Sequence, residues 1–251
     1  MSVDLAGKPI LITGASSGIG RATALACARR GMPVALAARR LDRLEALASE
    51  IEAAGGSAIA IECDVADDDA CTEAVARTIE AFGRLYAAFA NAGYGFEGGV
   101  LDTPDDKVRE IMDVNVFGSL RILRPAAEHM LEARAGHLLM CSSALSKITL
   151  PNYSAYSLSK AAQDHLGRAL RLELRDTGVR CSTVHPIGTR TEFFETSAAK
   201  SERSSSGSSM RQRSTCDDGW KASTSPPIGS ASSWPTTSAS RPPSSRRART
   251  M

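Results

Sequence analysis

The chain has 251 residues, 43% of them apolar and 23% charged, with a formal net charge of +2. That composition suits a globular α/β domain with a sizeable core; it excludes a strongly basic nucleic-acid binder, and no apolar run approaches a membrane span. Six cysteines (Cys27, Cys63, Cys71, Cys141, Cys181 and Cys216) form no C-x-x-C pair and have no histidine at zinc-ligand spacing. They read as free thiols of a reducing compartment, with no metal site. The N-terminus has no basic stretch followed by an apolar core, so the cytoplasm is the expected location.

Pro9–Thr13 is a short apolar run that stops at Gly14, the pattern of a buried parallel strand. A helix is expected over Arg21–Arg30, closed by Gly31, then a second strand over Val34–Ala38. Leu41, Leu44, Leu47, Ala48 and Ile51 stand at helical spacing and predict a helix to about Ala54. Ala58–Cys63 reads as a third strand, Asp68–Phe82 as a helix whose acids compensate its dipole, and Leu85–Ala90 as a fourth strand. Thr103-Pro104-Asp105-Asp106 predicts a helix start with a capping hydroxyl. That helix is expected to reach about Met130, bending around Gly118 and Pro125. His137–Cys141, a helix over Tyr153–Asp176, and a strand over Val179–His185 complete the series. Strands alternating with helices imply parallel strands joined by right-handed crossovers, hence a doubly wound α/β sheet of the Rossmann type.

The pattern stops there. Residues 200–251 hold sixteen Ser, five Pro and a single Ile, with no Leu, Val or Phe. They carry nine basic and three acidic residues, against 21 and 25 in residues 1–199. Such a segment cannot bury enough apolar surface to offset its ordering entropy, and we read it as a disordered or poorly packed tail. The abrupt change near residue 199 suggests a frameshift, which the other two reading frames of the coding DNA would expose. The expected division is a catalytic domain over 1–199 and a tail over 200–251.

Gly14-Ala15-Ser16-Ser17-Gly18-Ile19-Gly20 lies between the first strand and the first helix. Glycines there allow a tight turn and let a diphosphate approach the backbone, while the helix N-terminus offers N–H donors and partial positive charge. Tyr156 and Lys160 stand four apart on one helix and so share a face. An ammonium beside a phenol lowers its pKa and fits it to exchange a proton with a carbonyl or alcohol oxygen. Ser143 ends the fifth strand and can donate to the same oxygen. Its rival Ser142 falls on the opposite face of the strand by alternation. Arg39 follows the second strand, where an arginine suits a 2′-phosphate and an acid would suit a ribose hydroxyl.

Thr13-Gly14-x-x-x-Gly18-x-Gly20, Asn91-Ala92-Gly93, Asn115, Ser143 and Tyr156-x-x-x-Lys160 together resemble the short-chain dehydrogenase/reductase family over residues 7 to about 195. The resemblance implies an NAD(P)-dependent oxidoreductase acting on a small carbonyl or alcohol, in which Lys160 also holds the nicotinamide ribose and Asn115 anchors a water relay. It implies cofactor contacts from Gly14, Ser16, Ser17, Gly18, Ile19, Gly20, Arg39, Asp64, Val65, Asn91, Gly93 and Thr191, with Asp64 at the adenine. Arg39 favours NADP(H) over NAD(H), although Ser17 stands where many NADP-using relatives have a basic residue. The family's P-G after the sixth strand is Pro186-Ile187 here, and its substrate lid and last strand are replaced by the tail. Relatives pair as dimers or tetramers through the tyrosine-bearing helix, so a homo-oligomer is expected, with neither nucleic acid nor membrane as partner. Two other readings stay open: a cofactor-binding protein without turnover, and a basic tail that binds anionic surfaces. His129 is expected at the surface, and His137, His165 and His185 show no partner in the sequence that suggests a ligand or a base.

Overall fold

Short apolar runs become strands buried on both faces. In the computed structural model, which describes residues 4–187, the strands are β1 (Ile10–Thr13), β2 (Val34–Ala38), β3 (Ala58–Glu62), β4 (Ala87–Ala90), β5 (Gly136–Cys141) and β6 (Val179–Val184). Their order is β3-β2-β1-β4-β5-β6, and every neighbouring pair is parallel. The helices are α1 (Gly18–Ala28), α2 (Leu41–Ala53), α3 (Asp68–Phe82), α4 (Asp105–Met112), α5 (Gly118–Glu132) and α6 (Ser154–Glu173). This is the doubly wound sheet expected from the alternation. The chain reverses its direction of travel between β1 and β4, and ligands of such sheets bind at that switch point. Thr191, residues 200–251 and the proposed frameshift lie outside the described residues.

Alternation along the strands divides the core in two. Leu11, Ala35, Ala88 and Leu138 face α3 and α5, meeting Val75, Ile122, Leu123 and Met130. Ile10, Ile12, Val34, Leu36 and Phe89 face the other way, toward Ala24 of α1 and the stripe Leu44, Leu47, Ala48 and Ile51 of α2. The period-two and period-3.6 patterns therefore meet across the same contacts.

Several boundaries differ from expectation for local reasons. β4 begins two residues late, because the Leu85 N–H is taken by His129 Nε2 (3.2 Å) and those of Tyr86 and Ala87 by the Pro9 carbonyl. His129 is thus a half-buried acceptor and not a surface residue. The Thr103 hydroxyl does not cap α4; it donates to the Gly99 carbonyl (2.6 Å), and Pro104 occupies the N-cap position. The long helix from α4 to α5 runs through Pro125 but is interrupted earlier by a π-turn, Asp113–Phe117. A π-turn inserts one residue and offsets the carbonyls of the next turn, often at a functional site. Asn115 lies in its middle. Asp67 caps α3 through a bond from the Ala70 N–H (3.0 Å), so the Asp67–Asp69 run serves the helix start, as expected.

A buried carboxylate ties three segments together at the carboxyl end of the sheet. Asp164 of α6 accepts from His185 (2.8 Å), which follows β6, and from Lys147 (2.5 Å), which follows β5; Arg168 lies at 3.3 Å. His185 therefore does have a partner, on an element that the sequence order does not reveal. Burial pushes the Asp164 carboxyl up, but the bonds from Lys147 and His185 and the charges of Lys147 and Arg168 outweigh it and hold it below its ordinary value. A depressed carboxylate contributes stability above its unfolded pKa of about 3.9 and loses it as pH falls through the folded value. Asp164→Asn should lower the unfolding free energy at pH 7 by roughly 1–3 kcal/mol, and the gap from wild type should close as pH drops below about 4. Urea unfolding across pH 3–7 measures this; a gap that stays constant over the range would contradict it.

Candidate active site

β1 and β4 part at their carboxyl ends, and the parting is held by hydrogen bonds. Thr13 Oγ1 accepts from the N–H groups of Asn91 and Ala92 (3.0 Å each), and Asn91 Nδ2 donates to the Thr13 carbonyl (2.9 Å). Gly14 then turns the chain at a φ of +66°, and a Cβ there would lie 2.9 Å from Ala92 Cα. A Cβ on Gly20 would strike the Gly14 carbonyl oxygen and Asn91 Nδ2. Only glycine fits at either place. The turn delivers the start of α1 to the cleft with no side-chain cap on its first amides. Uncapped N–H groups with the helix dipole behind them are the kind of arrangement that can receive a phosphate.

The cleft above this turn has a volume of about 840 Å³. Gly14, Ser16, Ser17, Gly18, Ile19, Arg39, Asp64, Val65, Asn91, Gly93, Ser143, Tyr156 and Lys160 all line it. Among the described residues, two expected ones do not: Gly20 packs behind the turn, and Asn115 is fully buried. Tyr94, Leu145, Ile148, Leu150 and Tyr153 also line the cleft.

Arg40 was not singled out by the sequence, yet it is the arginine laid across the glycine turn. Its Nη2 donates to Ser16 Oγ (2.9 Å) and Ser17 Oγ (3.1 Å), and its Nε also reaches Ser16 Oγ (3.2 Å). Arg39 is exposed and stands 3.9 Å from Asp64. Doubled basic residues after β2 were visible, but the sequence could not say which guanidinium turns toward the serines.

The two candidate serines part as alternation predicts. Ser142 Oγ donates to the Lys160 carbonyl (2.8 Å), which fastens β5 to α6. Ser143 starts a short 3₁₀ turn, accepts from the Leu145 N–H (3.1 Å), and is hydrogen-bonded to the Tyr156 phenol. Burial pushes Tyr156 up to about 12, against a lowering from Ser143; the Cys141 thiol adds to the rise.

The ammonium of Lys160 lies 5.6 Å from the Tyr156 ring centroid. It donates to the Cys141 carbonyl (2.8 Å) and to Gln163 Oε1 (2.9 Å), and the lowering of the phenol expected from Lys160 is not what sets Tyr156: burial raises it, and the lowering comes from Ser143. Burial in turn lowers Lys160 below the ordinary lysine value. The side chain of Asn115 is spent on the Tyr94 backbone (3.0 Å to both N and O) and on Ser159 Oγ (2.9 Å). Its carbonyl accepts from Gln163 Nε2 (2.6 Å) and Ser119 Oγ (2.7 Å), which fills both lone pairs. Both the side chain and the carbonyl of Asn115, the residue expected to anchor a water relay, are thus engaged by protein groups. Gln163 carried no signal in the sequence: a polar residue three past Lys160 reads as solvent-facing until the π-turn is known to lie against it.

Comparison with known proteins follows the same outline. The family model described as short chain dehydrogenase matches residues 8–202. An uncharacterised oxidoreductase of Myxococcus xanthus is 39% identical over 189 residues, 75% of each chain. An L-rhamnose 1-dehydrogenase (NAD(P)(+)) of a Sphingomonas strain is 34% identical over 79% of each chain. The crystal structure of a short-chain type dehydrogenase/reductase from Mycobacterium marinum superposes with a TM-score of 0.74 at 37% identity, covering 78% of both chains.

The close approach at the glycine turn makes a direct prediction. Gly14→Ala forces a left-handed φ on a residue with a Cβ and drives that Cβ into the β4 terminus, so unfolding free energy should drop by roughly 1–3 kcal/mol. Denaturant unfolding measures it, and an unchanged midpoint would mean that the junction yields freely.

Proposed function

Because the chain belongs to the short-chain dehydrogenase family and is an oxidoreductase of that family, we propose that it reduces a carbonyl, or oxidises the matching alcohol, with Tyr156 handling the proton. The observation that carries this reading is the convergence of the Tyr156 hydroxyl, Ser143 and Lys160 on the wall of the cleft that begins at the glycine turn. The cradle fits a nicotinamide dinucleotide: the two glycines leave room at the backbone, α1 offers uncapped amides, and Asp64 and Val65 line the same cleft, where the family resemblance would set them against the adenine. Such a cofactor, when bound, supplies or takes the hydride at carbon.

The side chains divide the remaining work. Tyr156, held near 12 by burial, is a neutral phenol at physiological pH, which suits it to give its proton to a carbonyl oxygen as charge develops there. Ser143 shares a hydrogen bond with that phenol and can donate to the same oxygen, fixing its position. Lys160 supplies a buried positive charge on the same side and one donor not yet committed. For the cofactor, Arg39 and Arg40 support NADPH over NADH, since both follow β2, line the cleft and carry guanidinium groups suited to a 2′-phosphate. The name of the Sphingomonas relative covers both cofactors, so relatives do not decide between them.

Three measurements test the reading. Tyr156→Phe should lower turnover of an aldehyde and ketone panel by roughly a hundred- to ten-thousand-fold while NADPH binding, followed by fluorescence, persists. Retained turnover would remove Tyr156 from the chemistry; binding without turnover in the wild type would support a cofactor binder instead. Replacing both Arg39 and Arg40 by Ala should weaken NADPH at least about tenfold and leave NADH nearly unchanged. Tighter NADH binding by the wild type would reverse the cofactor assignment. Alcohol oxidation needs the phenolate, so its rate should climb with pH through the alkaline range, set by the raised Tyr156; a flat profile would assign the base elsewhere.

A further inference from the structure

Lys160 is only 3% exposed, and both acceptors of its ammonium are uncharged: the Cys141 carbonyl and Gln163 Oε1. A buried charge with neutral acceptors depends heavily on each of them. Gln163 is itself completely buried. Its Nε2 donates to the Asn115 carbonyl at 2.6 Å and to Ser119 Oγ at 2.8 Å, while Ser119 Oγ donates to that same carbonyl. Both amide protons are used, so the amide has one workable orientation. Reversed, it would face an NH₂ toward an ammonium and an oxygen toward a carbonyl.

We propose that Gln163 is a positioning residue for Lys160, holding its ammonium charged and aimed through an amide anchored on the π-turn. This rests on the reading of Tyr156 and Lys160 as the catalytic pair. The carbonyl of Asn115 is a fixed negative pole within a helix interruption, and the glutamine dipole carries that pole on to the ammonium. An apolar side chain of equal size would fill the same space and leave Lys160 with the Cys141 carbonyl alone. With two of its three donors committed, the ammonium has one direction left. The titratable groups that face it are Tyr156, 5.6 Å away at its ring centroid, and the Cys141 thiol.

The chain has six lysines, so labelling lysine with ¹³C at Cε gives few enough NMR signals to follow each one through a pH titration of the full-length protein. The signal lost in Lys160→Met identifies Lys160. In Gln163→Met, which keeps the volume and removes the acceptor, the Lys160 midpoint should fall by roughly one to two pH units. Ser119→Ala removes one anchor of the amide without touching Lys160, and should move the midpoint the same way by less. A midpoint in Gln163→Met within about 0.2 pH unit of wild type overturns the proposal, whatever happens to thermal stability. If Gln163→Met does not fold, Ser119→Ala decides, and an unmoved midpoint there overturns it equally. The Lys160 midpoint is read without substrate, so its outcome is separate from that of Tyr156→Phe: loss of turnover there with no shift here leaves the catalytic pair and removes the glutamine.

Discussion

The structure turns on the junction of β1 and β4. Parallel strands that diverge to opposite halves of a sheet leave a crevice at their carboxyl ends, and something must hold its two lips at a fixed spacing. Thr13 and Asn91 do so, through three hydrogen bonds of 2.9–3.0 Å between one strand end and the other. Gly14 and Gly20 exist in that arrangement because the lips approach too closely for a Cβ. The uncapped start of α1, the serines of the turn and Arg40 are all placed by this one contact.

The other half of the site is governed by burial. Tyr156 and Lys160 both lie in the protein interior, and burial acts on them in opposite directions, raising the phenol and lowering the ammonium. Each shift favours the neutral form. The polar network around them opposes that tendency at chosen atoms: Ser143 on the phenol, the Cys141 carbonyl and Gln163 on the ammonium. The π-turn belongs to the same network, since its carbonyl at Asn115 anchors the glutamine and its side chain at Asn115 fastens Tyr94 and Ser159. Asp164 completes the frame from outside by clasping the segments after β5 and β6 to α6.

Much of this was legible in the chain itself. Six apolar runs separated by helical stripes determined a parallel doubly wound sheet, because a strand buried on both faces can use few polar residues and its crossover must be a helix. The glycine spacing after Pro9–Thr13 located the tight turn proposed to seat a phosphate, and four-residue spacing placed Tyr156 and Lys160 on one face of α6. Alternation along β5 is enough to separate Ser143 from Ser142. These signals are local, carried by residues within one or two turns of each other.

What only the tertiary structure decided involves partners far apart in sequence. Arg40 meets Ser16 and Ser17 across 24 and 23 residues, Gln163 meets Asn115 across 48, and Asp164 meets His185 across 21. The π-turn is invisible in a periodic pattern, since one inserted residue within a continuous amphipathic helix shifts the phase without breaking it. The direction of the Tyr156 shift also needed the fold: spacing brings a lysine onto the same face, but only packing shows where its ammonium points and how deeply the phenol is buried. The sequence thus determined which groups are candidates for the proposed chemistry, and the tertiary structure determined their surroundings and aim, because burial and long-range hydrogen bonds exist only once distant segments are packed together.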